Sequence, residues 1–141
     1  MTRVLHILDH SLPAQSGYTF RTRALMKAQI AYGWQVAGVT SVRHPNPGPD
    51  LEEVDGLTFY RTPPIAAARS PWREWREVEA LARRVAEVAQ TFQPDILHAH
   101  SPVLTAMAGQ RVADAMGLPL IYEIRAFWED AAVGNGTGQE G

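Results

Sequence analysis

The sequence predicts a doubly wound α/β domain with a mainly parallel sheet and helices on both faces. Its segments follow one another in the order strand, helix, strand, strand, helix, strand, helix, strand. Helices that alternate with apolar strands imply right-handed crossovers, which place the helices on the two faces of a parallel sheet. A length of 141 residues, with 45% hydrophobic and 20% charged residues, fits one globular domain.

Five short apolar runs predict the strands. They lack the clean alternation of a half-exposed strand and are typical of a sheet that is covered on both faces. The predicted strands cover residues 4–8, 35–42, 57–61, 96–99 and 120–124. Five of their side chains are expected to be buried: Leu5, Ile7, Ile96, Leu97 and Ile121.

Three segments have the residue spacing of helices. The first begins at Tyr18 and ends before Gly33, whose position predicts a left-handed C-terminal cap. The other two start at residues 70–71 and 101–102, because in each case a serine cap is followed by proline. The predicted buried faces contain Trp75, Val78, Ala82, Val85, Ala89 and Phe92 in the second helix, and Leu104, Ala108, Val112 and Ala115 in the third. Gly117 and Pro119 end the third helix.

Composition excludes several classes of protein. The net charge is -2, and twelve of the thirteen basic residues are scattered arginines, so no basic stripe indicates a nucleic-acid binder. The absence of cysteine excludes disulfides and thiolate zinc sites. The N-terminus is too short and polar for a signal peptide, and no apolar run approaches the roughly 20 residues that span a bilayer.

The carboxyl ends of parallel strands meet at one edge of a sheet, where doubly wound domains bind their ligands. Residues 9–17, 98–101 and 123–130 are therefore expected to line one crevice. The first of these loops lacks the G-x-G-x-x-G dinucleotide fingerprint, but it places Ser16 and Gly17 at a helix N-terminus that favours phosphate. Two interpretations of this pair remain open, a phosphate site and a simple cap and turn.

The second loop contains His98 and His100. Residues two apart on a strand point to the same side, so both rings should share one face. We expect His98 to be a structural histidine within the apolar run and His100 to face the crevice. A catalytic zinc site would need a third ligand, and the motif does not provide one.

The last segment offers Glu123 and Arg125, which strand alternation places on one face. They could form a pair that fixes the loop, or they could contact a ligand. Trp128 could stack on a sugar or cover the core.

Together, residues 4–13, 16–18 and 95–102 resemble the N-terminal domain of group 1 (family 4) retaining glycosyltransferases of the GT-B fold. Residues 122–130 are similar to a bacterial subgroup found with exopolysaccharide and exosortase gene sets. The resemblance implies that residues 1–141 form the acceptor-side, Rossmann-like domain of a two-domain enzyme. The Gly-rich end of the chain is interpreted as a truncation before the nucleotide-sugar domain, and the chain alone is expected to be inactive.

The same resemblance implies roles for individual residues. Ser16 and Gly17 correspond to the loop that approaches the donor's β-phosphate, although many members carry two glycines there. His100 matches a catalytic histidine near the transferred sugar. The remaining acceptor or crevice residues would be His10, Tyr18, Arg21, Glu123, Arg125 and Trp128. The resemblance implies neither a metal nor a cofactor.

The implied partners are a nucleotide-sugar donor and a saccharide or lipid-linked acceptor, with no nucleic acid. The resemblance also implies a cytoplasmic location at the inner membrane face, with peripheral membrane association of the full-length protein. Two alternatives remain open: half of another GT-B enzyme, such as a nucleotide-sugar epimerase, and a flavodoxin-like binding domain.

Overall fold

A computed structural model describes residues 1–45, 48–66 and 71–124. They form a six-stranded sheet in the order β3-β4-β2-β1-β5-β6. The elements in chain order are β1 (Arg3–Leu8), α1 (Gly17–Ala31), β2 (Gln35–Thr40), β3 (Leu51–Val54), β4 (Leu57–Arg61), α2 (Arg73–Phe92), β5 (Ile96–His100), α3 (Val103–Met116) and β6 (Leu120–Glu123). None of the helices in these ranges combines the length and hydropathy needed to cross a membrane.

The predicted parallel sheet is confirmed. Strand β1 pairs in parallel with β2 and β5, β2 pairs with β4, and β5 pairs with β6. The sequence did not predict β3, which pairs antiparallel with β4. Asp55 and Gly56 both have positive φ between these strands, which is the backbone of a tight hairpin turn. Strand β3 has two glutamates at its centre, Glu52 and Glu53, so it contains no apolar run that would have predicted a strand.

Two apolar cores cover the two faces of the sheet, as predicted. On one face, helices α2 and α3 pack on Leu5, Ile7 and Leu97. On the other face, Met26 of α1 packs with Leu8 and Phe59. Helix α1 therefore covers the face opposite to α2 and α3.

The predicted burial is confirmed for three of the five strand residues, holds only in part for a fourth and fails for Ile121 on the edge strand. Leu5, Ile7 and Leu97 are fully buried, whereas Ile96 is partly buried and Ile121 is 49% exposed. Strand β6 is the last strand of the sheet, and its Ile121 aligns with His98 on the face that α1 covers. An apolar side chain on an edge strand is buried only where another element packs over it.

The helix ends agree with the prediction better than the helix starts. Gly33 and Gly117 have the expected positive φ. Helix α2 begins at Arg73 instead of residue 71, and Pro102 caps α3 without a side-chain hydrogen bond. Ser70, the predicted cap of α2, lies outside the described residues.

Two residues of the predicted buried faces are in fact exposed. Trp75 is 51% exposed, and the guanidinium of Arg111 lies over its ring at 4.4 Å from the centroid. Ala115 is exposed, while Ala113 is buried instead. Trp75 and Ala115 both lie near a helix end, where the apolar stripe of the helix no longer faces another element.

Candidate ligand site at the carboxyl edge of the sheet

The loop after β1 delivers Ser16 to the N-terminus of α1. The Ser16 hydroxyl accepts a hydrogen bond from the Thr19 backbone N–H at 3.1 Å, and the Ser16 N–H donates to the Thr19 hydroxyl at 3.0 Å. This reciprocal capping box explains why the helix starts here. The interpretation of Ser16 as a helix cap is therefore confirmed. The dipole of the first helical turn is directed at the same edge of the sheet.

Gly17, the first helical residue, faces open space. It is exposed, and a Cβ added to it would meet no atom within 4 Å. A side chain here would therefore cost the fold little. It would, however, project into the open space in front of the helix N-terminus.

His10 and Tyr18 form one wall beside this helix end. Their rings stack with centroids 4.6 Å apart. His10 Nδ1–H donates to Asp9 at 2.9 Å, and the Ser16 hydroxyl lies 3.3 Å from His10 Nε2. The Tyr18 hydroxyl accepts the Asp9 backbone N–H at 3.0 Å. The structure thus brings together His10, Ser16 and Tyr18.

Arg21 lies on the second turn of α1 and is exposed. Arg125 and Trp128 lie outside the described residues. The positions of these two residues relative to the edge therefore stay predictions.

The histidines of β5 share one face, as predicted, with stacked rings 4.3 Å apart and an interplanar angle of 6°. Their exposure is the reverse of the prediction. The His100 side chain is 0% exposed and contacts His6, while the His98 side chain is 12% exposed and bonds to Glu123 at 3.0 Å. Sequence reasoning placed His100 at the strand exit. The rings of His6 from β1 and of His98 pack against it there, so the side chain is covered instead.

His6 is the residue that the sequence reasoning missed. It pairs in register with His98, and its Nδ1 lies 2.8 Å from His100 Nε2. Its Nε2 lies 2.8 Å from the side-chain oxygen of Gln29, an acceptor that favours the tautomer with a proton on Nε2. The sequence signal was a polar residue inside an apolar strand, which is costly without a partner.

A buried arginine holds the loop after β1 against the sheet. The guanidinium of Arg61 donates to the Ser11 hydroxyl at 2.6 Å and to the Leu12 carbonyl at 2.7 Å. Glu52 neutralises it at 2.8 Å. Burial lowers the pKa of Arg61, but the guanidinium stays charged because the pKa of an arginine lies far above neutral pH.

His44 completes this support by accepting the Ser11 backbone N–H at 3.3 Å. Burial, with the charge of Arg61 second, lowers the pKa of His44 to about 4. The folded state therefore holds this imidazole neutral, while the unfolded chain protonates near the ordinary value of about 6.5. Stability from this group is complete above pH 6.5 and is lost as the pH falls towards 4.

We expect the difference in unfolding free energy between the wild type and His44→Asn to change with pH. The asparagine oxygen keeps an acceptor for Ser11 but cannot titrate. Between pH 7 and pH 5 the wild type should lose about 2 kcal/mol more than the variant. Urea unfolding at both pH values measures this. Parallel pH profiles for the two proteins would show that His44 is not held neutral.

Two further residues at the edge were not predicted. Ser41 and Arg43 follow β2 and line a small crevice with Asp9. The Ser41 hydroxyl donates to the Asp9 carbonyl at 2.8 Å, and Arg43 pairs with the buried Glu77 at 3.0 Å. They extend the edge site towards α2, although neither stands in a recognisable motif.

The fold and this edge define a Rossmann-like α/β domain whose helix N-terminus, imidazoles and carboxylates converge where such domains bind ligands. Residues 16–140 match the family described as the Glycosyl transferase 4-like domain. The chain belongs to this family. No curated protein sequence matches it.

Solved glycosyltransferase structures share the fold at low sequence identity. Sucrose-phosphate synthase from Thermosynechococcus elongatus is similar with a TM-score of 0.69 and 15% identity, over 99% of this chain and 36% of that one. The catalytic domain of starch synthase IV from Arabidopsis thaliana, bound to ADP and acarbose, gives 0.61 and 15%, over 88% of this chain and 34% of that one. This chain therefore spans about a third of those chains.

The fold is not confined to glycosyltransferases. The C-terminal domain of PF1911 hydrogenase from Pyrococcus furiosus is similar with a TM-score of 0.62 and 16% identity, over 86% of this chain and 90% of that domain. Since the fold alone does not specify chemistry, the family match carries the assignment.

Proposed function

We propose that this chain is the acceptor-side domain of a retaining glycosyltransferase of bacterial exopolysaccharide or glycoconjugate synthesis. It would help to move a sugar from a nucleotide-sugar to a saccharide or lipid-linked acceptor. Membership of the Glycosyl transferase 4-like family supports the transferase class. The structural observation that carries the proposal is the open helix N-terminus at Gly17, beside the stacked pair His10 and Tyr18.

Each part of this edge has a role in the proposal. The first turn of α1 directs its dipole and backbone N–H groups at the negative charge of the donor diphosphate. The pair His10 and Tyr18 offers an aromatic surface and ring hydrogen bonds to sugar hydroxyls. Glu123, whose side chain is 36% exposed, lies at the end of β6, two strands away from β1, and can accept hydrogen bonds from hydroxyls of the acceptor. His100, fully buried, acts through the position of Glu123 instead of contacting the sugar.

The proposal assigns the main nucleotide contacts to a second Rossmann-like domain elsewhere in the complete protein. The chain spans 36% of the sucrose-phosphate synthase chain that it resembles. Catalysis then requires both domains, because each domain supplies some of the preorganised groups that stabilise the transition state. This chain alone is expected to bind nucleotide-sugars weakly. Calorimetry that gave micromolar affinity for a free nucleotide would instead indicate a self-contained nucleotide-binding domain.

The sharpest test is Gly17→Val in the complete enzyme. The valine side chain should enter the space above the helix N-terminus and lower kcat/KM by on the order of 10²-fold, as the loss of one preorganised donor does. The melting temperature should change little, because no atom lies near the new Cβ. Transfer is measured as sugar incorporated from radiolabelled donor.

The matched control is Ala24→Val, which adds the same side chain at an exposed position of the same helix. It should keep wild-type kcat/KM. Full activity in Gly17→Val would show that the helix N-terminus is not part of the donor site. Equal losses in both variants would mean that α1 tolerates valine poorly and that Gly17 has no special role.

A further inference from the structure

We propose that His6, His98 and His100 form a binding site for one divalent cation of the zinc class. One ring nitrogen from each histidine lies within 4.8 Å of those of the other two. The sequence motif offered only two of these rings. The parallel pairing of β1 with β5 supplies the third, because His6 lies directly opposite His98.

The backbone that carries the three rings is rigid and central. Strand β1 lies between β2 and β5 in the sheet, so neither backbone can move without breaking ladder hydrogen bonds. A tetrahedral zinc ion with Zn–N bonds of about 2.0–2.1 Å needs nitrogens about 3.3 Å apart. Binding would require rotations of the imidazoles about their side-chain torsions that bring together nitrogens now up to 4.8 Å apart and that separate His6 Nδ1 from His100 Nε2, now at 2.8 Å.

The hydrogen bonds of His6 already select the form that a metal needs. Its Nε2–H donates to Gln29 at 2.8 Å, which leaves the lone pair on Nδ1. That lone pair faces His100 Nε2 at 2.8 Å, so a cation between them would replace one shared proton. Metal-bound histidines characteristically donate their other N–H to an oxygen acceptor, and Gln29 provides this acceptor.

Glu123 supplies the carboxylate that such sites require. Its Oε1 is 3.6 Å from His100 Nδ1, on the other side of the ring from His6, and 3.0 Å from His98 Nε2. From this position the Glu123 carboxylate can orient the His100 ring through Nδ1, or it can bind the cation as a fourth ligand. Either arrangement offsets the positive charge that burial would otherwise penalise.

The donor set decides which cation fits. Three imidazoles without thiolates suit Zn²⁺, Cu²⁺ or Ni²⁺, whereas Mg²⁺ and Ca²⁺ prefer oxygen ligands. Two of the rings are fully buried, so a bound ion would connect β1 to β5 beneath the edge site. Its role would be to fix β1 and β5 beside β6, the strand that carries Glu123, independently of the donor chemistry in the proposed function.

Binding is tested on the metal-free 141-residue chain, prepared with a chelator. Calorimetry with Zn²⁺ should give one site per chain. Co²⁺ should develop the strong visible absorption of a four-coordinate nitrogen site, which surface-bound, six-coordinate Co²⁺ lacks. At a hundredfold excess over Kd, Zn²⁺ should raise the melting temperature by roughly 5–10 °C, whereas Mg²⁺ should leave it unchanged.

The diagnostic variant is His98→Gln, because His98 is less buried than the other two rings and the variant is expected to fold. It should weaken Zn²⁺ binding at least tenfold and abolish the visible Co²⁺ spectrum, with an unchanged circular dichroism spectrum. The control His10→Gln removes a histidine outside the cluster and should keep both signals. The proposal is overturned if wild-type chain binds no stoichiometric Zn²⁺, or if His10→Gln loses binding as much as His98→Gln does.

Discussion

Leu97→Ala is expected to lower the free energy of unfolding by about 2–5 kcal/mol, the usual cost of emptying a buried leucine position. Leu97 is fully buried in β5 and packs in the core beneath α2 and α3. Secondary structure and sheet neighbours hold the surrounding backbone, so the cavity should collapse only in part. Since a domain of this size has about 5–15 kcal/mol in total, this single change should leave it marginally stable. Urea denaturation measures the effect.

Ile121→Ala is the matched control. It removes apolar atoms from the adjacent strand β6, but Ile121 is 49% exposed. The expected loss is below about 1 kcal/mol, because much of the side chain stays in water in the folded state. Equal losses at the two positions would mean that β6 is covered in solution by an element that packs on this face.

His100→Ala is expected to lower the free energy of unfolding by about 2–4 kcal/mol, measured in the presence of a chelator. The change removes a fully buried ring and leaves His6 Nδ1 without the contact now made at 2.8 Å. The sequence alone led to the opposite expectation, because it placed His100 at an open crevice.

The comparison for this variant is His10→Ala. The His10 side chain is 25% exposed and stacks on Tyr18 at the surface of the same edge. Its removal should cost less than about 1 kcal/mol, since the ring lies at the surface and its partners Asp9 and Ser16 can bond to water instead. A larger loss for His10→Ala than for His100→Ala would contradict the burial of the β5 histidines.

The order of strands and helices could be predicted because each local signal agreed with the fold. Buried parallel strands have continuous apolar runs, and glycines such as Gly33 and Gly117 occupy the positive φ that ends a helix. Strand β3 could not be predicted, because an edge strand with Glu52 and Glu53 at its centre has no apolar signal. Its existence depends on the backbone of β4 beside it.

Some features of the candidate site could likewise be predicted from the sequence, and others could not. Local spacing was enough to predict that Ser16 and Gly17 begin a helix at the carboxyl edge and that His98 and His100 point to one side. The burial of each ring, and the presence of His6 beside them, depend instead on how the strands and helices pack. Local spacing could not predict this, because the register between β1 and β5, whose paired residues are 92 positions apart, depends on how whole strands pair. Helix α1 packs over β2 and β4, which leaves Ile121 of the distant edge strand β6 exposed.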